Sequence, residues 1–202
     1  MKEQTTQQRI MDAAFELIYA NSYAEVGVAA ICERAGVQKG SFYHHFKSKQ
    51  DLAMAVLEQN FCDFKSAMLD AVFTGERDGL TEIQDFVDQI YEYQKDIKTK
   101  TGQVLGCPFG NMSIELSTQD EAIRKKLVHI FQRSKESLRE ALQRGVDEHD
   151  ERLENIDADA TAQAMYAYLE GILMSAKTHN DIDVYRQLAP ALLDIRIHAK
   201  TH

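Results

Sequence analysis

A chain of 202 residues, 44% hydrophobic and 27% charged, is long enough for one large domain or for a small domain joined to a larger one. This composition excludes a disordered polymer, and no apolar run approaches the roughly 18 residues of a membrane span. The polar start MKEQTTQQR has no signal-peptide core, so a soluble, cytoplasmic protein without a membrane partner is expected. A net charge of −9 argues at first against nucleic acid. Its distribution argues otherwise. Residues 1–60 carry six basic and seven acidic side chains, while the remainder carries 17 basic and 25 acidic. Arg34 to Gln50 holds four basic residues, two histidines and no acid, a basic island that would orient a polyanion towards one end.

Three cysteines, Cys32, Cys62 and Cys107, are odd in number and far apart. They show neither a disulfide framework nor the paired spacing of a zinc site, so free thiols, no metal and no cofactor are expected. Only Pro108 and Pro190 interrupt a chain rich in Ala, Leu, Glu, Gln and Lys, which points to an all-α fold.

In chain order, Ile10, Ala14, Leu17 and Ile18 form one apolar stripe and predict a helix over residues 5–20. Asn21-Ser22 ends it. A short helix is expected over 28–35, a turn at Gly36-Val37 and a third helix over 38–46. A fourth begins after Ser48, whose spacing to Asp51 has the form of a capping box. The run 74–79 breaks the pattern, 81–98 resumes it and 99–106 breaks it again. Pro108, tolerated at a first helical position, opens a short helix to about Leu116. A long helix over 120–145, an exposed acidic linker over 147–157 and two closing helices over 158–178 and 182–199 complete the expectation.

Residues 28–57 read VAAICERAGVQKGSFYHHFKSKQDLAMAVL. Two short helices joined by a glycine-containing turn are the form in which the second helix enters a DNA major groove. Phe42 and Phe46 stand four residues apart, so one face of the third helix packs inward with Ile31, Ala35 and Val37. Gly40, Tyr43 and His44 then fall outward, with Gln38 at the helix start and Lys39 and Ser41 at the edges. Gly40 removes a side chain where the helix would press against base edges.

This stretch closely resembles the DNA-binding half of TetR/AcrR-family transcriptional regulators. The resemblance lies in Ala35-Gly36-Val37, Lys39-Gly40-Ser41-Phe42-Tyr43-His44-His45-Phe46, Ser48-Lys49, Leu52 and Val56-Leu57, about a quarter of the chain. It implies base contacts around Lys39, Gly40 and His44, and phosphate contacts from Tyr43 and Lys49. A cation at a helix start suits a phosphate independently of any family. One departure is clear: Val26-Gly27 stands where the family often places Thr or Ser to cap helix two and touch phosphate.

The rest of the chain resembles the family in plan only. That plan is a helix-turn-helix DNA-binding domain over 1–50 and a helical ligand-binding and dimerisation domain over 51–202. The last two long helices would form a homodimer interface. Ala160, Ala164, Ala167 and Gly171 supply close-approach positions, although packing within one chain would use the same residues. Two recognition helices about 34–36 Å apart would then read a palindromic double-stranded DNA operator.

Phe61, Phe64, Phe86, Tyr91, Phe109, Met112, Phe131, Met165, Tyr168 and Met174 either line a ligand cavity or form ordinary core, and periodicity does not separate the two. Cys107, in Gly106-Cys107-Pro108-Phe109-Gly110-Asn111, stands at the N-cap of a short helix, where free N–H groups favour a thiolate. A thiolate there would react with electrophiles or oxidants; a small buried cysteine at a tight helix start is the alternative. The segment GCPFGNMSIEL resembles the corresponding stretch in family members that control detoxification of reactive electrophiles. Lys177 occupies the place of a lysine found with that cysteine in such relatives. A small-molecule or electrophile inducer is therefore expected, with Cys107, Lys177, Phe109, Met112 and Tyr168 as regulatory candidates.

The leading expectation is a DNA-binding repressor released from its operator by a small ligand or by cysteine modification. The second is a helical interaction module without DNA binding. The third is an enzyme using Cys107 as nucleophile with Glu115 or a histidine as base. His129, His149, His179 and His198 lack triad spacing, and no phosphate loop or nucleophile elbow occurs, so no enzyme is expected.

Overall fold

In the computed structural model, which describes residues 4–199, helix α1 spans Thr6–Ala20. It starts where it does because the Thr5 hydroxyl accepts the Gln8 N–H at 3.2 Å, and it buries Ile10, Ala14 and Ile18. Helix α2, Val28–Ala35, begins at Gly27 without any side-chain cap. It stops at Gly36, whose φ of 63° lets the backbone reach the carbonyls of the last turn. Helix α3 is Lys39–His45 and α4 is Lys49–Phe64. The Ser48 hydroxyl accepts the Asp51 N–H at 3.0 Å, while the Asp51 carboxylate accepts from Lys47, one residue before the position a full capping box uses.

The chain then passes through a π turn at Lys65–Leu69, which no periodicity signalled, into the single turn α5, Asp70–Val72. Helices α6 (Gly79–Thr101), α7 (Pro108–Leu116), α8 (Glu121–Asp147), α9 (Ala158–His179) and α10 (Ile182–Leu188) follow. Among the described residues there is no strand, only one isolated antiparallel bridge between Ile156 and His198. The fold is all-α, as expected.

Two expectations fail in the last quarter of the chain. Residues 147–157 are not an exposed linker: a 3-10 turn at Glu151–Leu153 buries Leu153 completely and Ile156 nearly so. Asp157 then caps α9 by accepting the Ala160 N–H at 2.9 Å. The final helix ends at Leu188 rather than 199. Pro190 has no N–H to carry the α pattern onward, so the chain tightens into a 3-10 turn at Ala189–Asp194. Beyond it, Ile197 donates to and accepts from the Thr161 hydroxyl at 3.1 and 3.3 Å.

The chain forms two compact units that interleave in sequence. The first comprises the chain up to Asp63 together with Pro108–His129. It buries Ile31, Phe42, Leu52, Phe61 and Ile123, with Phe61 edge-on to Phe109 at 6.2 Å between ring centres. The second comprises Phe64–Cys107 together with Ile130 onward. Its core gathers Ile83, Phe86, Leu138, Met165, Ile172, Tyr185 and Leu192. Inside it, the fully buried Glu82 pairs with Arg144. Gly79 is there because α6 crosses α8 at backbone contact; a Cβ would overlap the Ala141 carbonyl.

Candidate nucleic-acid interface and regulatory cysteine

The short helix α3 divides as its sequence predicts. Phe42 and Phe46 are buried, as are Ile31 and Ala35 on α2, while Val37 is half-buried. Gln38, Lys39, Gly40 and His44 are exposed, Ser41 is half-buried, and the large aromatic Tyr43 is 57% exposed. Gly40 has open space where a Cβ would stand. Packing within the chain therefore does not require glycine there; the room it leaves faces outward. At the start of α2, Val26 is buried and Gly27 offers no hydroxyl, so that family contact has no side chain to make it.

Lys49 begins α4, but its ammonium is engaged within the chain. It donates to the Tyr23 carbonyl at 2.5 Å and lies 4.0 Å from the centre of the Tyr23 ring. Burial pulls this amine below the usual lysine range, and the nearby Glu115 carboxylate pushes back. Glu115, on α7, accepts the Tyr23 and Ala24 N–H groups at 2.9 and 2.7 Å. Both of its oxygens hold backbone, which does not suit the role of a base for Cys107. The Gln50 amide donates to Asp120 at 2.6 Å, a second tie between the start of α4 and the region before α8.

Cys107 is half-buried in the second unit and stands one residue before α7. The loop leading to it is fixed by side chains. Buried Gln94 donates to the Gly106 carbonyl at 2.9 Å and accepts the Gly106 N–H at 3.1 Å. Asn180, which ends α9 in a left-handed conformation, accepts the Val104 N–H at 2.8 Å. Gly106 has φ of 71°, and a Cβ there would come within 3.4 Å of the Lys177 side chain. Lys177 thus lies against the residue next to Cys107, its ammonium held below the usual range by burial.

The sulfur has an acidic neighbour that the sequence did not announce. Cys107 hydrogen-bonds with Glu170, and Tyr166 bonds with both Glu170 and Ser134. Burial pushes the Glu170 carboxyl up, against the opposing pull of its bonds to Cys107 and Tyr166. An acidic neighbour in this place disfavours a thiolate at Cys107. Of the other regulatory candidates, Phe109 and Met112 are buried in the first unit, while in the second the Tyr168 hydroxyl donates to the Leu188 carbonyl at 3.1 Å. Met174, expected among cavity or core residues, is 57% exposed. An open groove of about 600 Å³ on the second unit is lined by Met68, Val72, Asp85, Asp88, Glu92 and Tyr93.

On α9, Ala160 and Ala164 are half-buried, Ala167 and Gly171 are exposed, and nothing lies within 4 Å of a Cβ on Gly171. Cys32 is buried and Cys62 is exposed. Among the described residues, no group of His, Cys, Asp and Glu is placed to hold a metal. No described helix is long and apolar enough to cross a membrane.

Comparison with known proteins gives two family matches that together span most of the chain. The model of the bacterial regulatory proteins of the tetR family matches residues 10–56, and that of the tetracyclin repressor-like C-terminal domain matches 79–192. An uncharacterized HTH-type transcriptional regulator in the lacX 3' region of Lactococcus lactis subsp. lactis is 28% identical, over 89% of this chain and 87% of its own. The HTH-type transcriptional repressor NemR of Escherichia coli strain K12 is 24% identical, over 87% of this chain and 85% of its own. The crystal structure of the reduced form of E. coli NemR has the same fold, with a TM-score of 0.77 at 20% identity, covering 98% of this chain and 100% of that one.

Proposed function

The chain belongs to the TetR family and is a helix-turn-helix transcriptional regulator; from that premise we propose a cytoplasmic, homodimeric repressor that leaves a palindromic operator when Cys107 is modified. Residues 1–50 read the DNA in this scheme and 51–202 carry dimerisation and response. It is a regulator and not an enzyme. The observation that carries the reading is α3 itself, with Phe42 and Phe46 buried beneath an outward face of Lys39, Gly40, Tyr43 and His44. That face suits a major groove, with Gln38 and Ser41 at its margins and Lys49 on the neighbouring phosphate.

Two variants test it. Lys39→Ala should change sequence preference and cost about 1–3 kcal/mol of operator binding if Lys39 reaches a base edge. Lys49→Ala should weaken binding to every sequence and reduce the salt slope by about one unit. Gel shifts against specific and random duplexes at several salt concentrations measure both. Wild-type binding by both variants would remove α3 and the start of α4 as the reading surface, leaving a helical interaction module.

Two facts support Cys107 as the responsive group. Gln94 and Asn180 fix the loop that presents it, and the helix it precedes belongs to the same compact unit as α3. Addition of the thiol to an activated alkene would form an S–C bond, the alkene's π pair moving to the neighbouring carbon and taking up a proton. The added bulk would displace the start of α7 and with it the spacing of the two recognition helices. Lys177, against Gly106, is the nearby amine for an oxidised sulfur to meet. Electrophiles or hypochlorous-type oxidants should therefore release wild type from operator DNA and spare Cys107→Ser, with Cys32 and Cys62 replaced in both. Equal sensitivity of the two proteins would place the site elsewhere. Insensitivity of both would leave a conventional small-molecule ligand, rather than cysteine modification, as the inducer.

A further inference from the structure

The backbone of Tyr23 is held at both its N–H and its carbonyl. Its N–H, with that of Ala24, is bound by the Glu115 carboxylate at 2.9 and 2.7 Å, and its carbonyl accepts the Lys49 ammonium at 2.5 Å. The Tyr23 ring lies under the same ammonium at 4.0 Å. These two N–H groups sit in the turn between α1 and α2, where no helix or strand satisfies them. Glu115 comes from 91 residues later in the chain, yet shares a compact unit with that turn and with the start of α4.

We infer that Glu115 is a positioning residue for operator binding: it fixes the Tyr23–Ala24 turn, and through the Tyr23 carbonyl and ring it sets where the Lys49 ammonium stands. Three features favour a positioning role. A bidentate carboxylate on two adjacent amides fixes an orientation as well as an energy. Lysine is a flexible point charge on four carbons, so a phosphate contact from it gains most from being held in place beforehand. The Glu115 carboxylate also favours the charged form of the Lys49 amine, against the burial that disfavours it. Gln50, the next residue of α4, donates to Asp120, so the start of that helix is tied to the segment before α8 as well as to the Tyr23 turn.

The inference rests on Lys49 as a phosphate contact, and a double-mutant cycle separates the two claims. Glu115→Ala should weaken operator binding by about tenfold, the scale of one charge-assisted contact, and flatten the salt dependence by about one unit. In a Lys49→Ala background the same substitution should change neither quantity further. Glu115→Gln keeps one acceptor of the right length and should fall between, and it stands in should the alanine variant fail to fold. Thermal unfolding of each variant, followed by circular dichroism, checks that the helices remain. A purely structural Glu115 would give losses additive with Lys49→Ala and an unaltered salt slope, which overturns the proposal. Wild-type or tighter binding by Glu115→Ala also overturns it, since the carboxylate would then only withhold the lysine from phosphate. If Lys49→Ala alone binds as wild type, the phosphate reading of Lys49 fails and this inference falls with it.

Discussion

Replacing Arg144 by alanine is expected to destabilise the second compact unit by about 3–5 kcal/mol, the range for removing one partner of a buried ion pair. Glu82 is fully buried, and Arg144 supplies its one cationic partner among the described ion pairs. The Gly75 N–H at 2.8 Å and the Thr74 hydroxyl at 3.3 Å would remain. Neither carries charge, so alanine at 144 leaves an anion stranded in a low-dielectric interior. Relief by movement is blocked, because α6 meets α8 at backbone contact around Gly79 and Ala141. Glu82→Gln should be milder, keeping an acceptor for Gly75 without the charge. Urea unfolding at matched m-values measures the difference, and a loss below about 1 kcal/mol would show that solvent reaches the site. Replacing both members by leucine should recover much of the loss, since a buried pair is worth little against well-packed apolar residues.

Glu82 also marks the limit of what the sequence discloses. Its partner is 62 residues away, and on its own helix it looks like one more solvated acid. Glu115 shares this character, and so does the link of Glu170 to Cys107: the partners are remote groups that no i to i+4 spacing encodes. The helix-turn-helix was legible for the opposite reason. Phe42, Phe46, Ile31 and Ala35 all fall within sixteen residues, so their burial follows from local periodicity. Punctuation was equally legible. Gly36 ends α2 and Pro108 opens α7 because their backbone chemistry permits little else. The segment 147–157 misled for a physical reason. Its acids are solvated or paired, as Asp150 is with Arg152, while Leu153 and Ile156 between them turn into the core. Composition reports the average of such a segment, but burial is decided residue by residue.

Gly171→Phe is expected to convert a dimer to a monomer and to weaken operator binding by at least about 100-fold. That is the low end of what joining two half-site contacts contributes. The argument starts from the monomer surface. Ala167 and Gly171 are exposed, Ala160 and Ala164 are half-buried, and Met174 one turn on is 57% exposed. Packing within one chain, the alternative use of these small residues, therefore leaves that side of α9 uncovered. Open space around Gly171 means that phenylalanine there meets nothing in its own chain, so the fold should survive and the helical circular dichroism should be unchanged. Only a second chain in close approach would register the added ring as overpacking. Gly171→Ala is the matched control and should remain dimeric with near wild-type affinity. Light scattering gives the mass of each variant, and operator titration gives the affinity. A Gly171→Phe protein that stays dimeric would place the interface elsewhere. An unmodified chain that sediments as a monomer at micromolar concentration would remove the two-half-site reading altogether, because one copy of α3 cannot span two sites a helical turn apart.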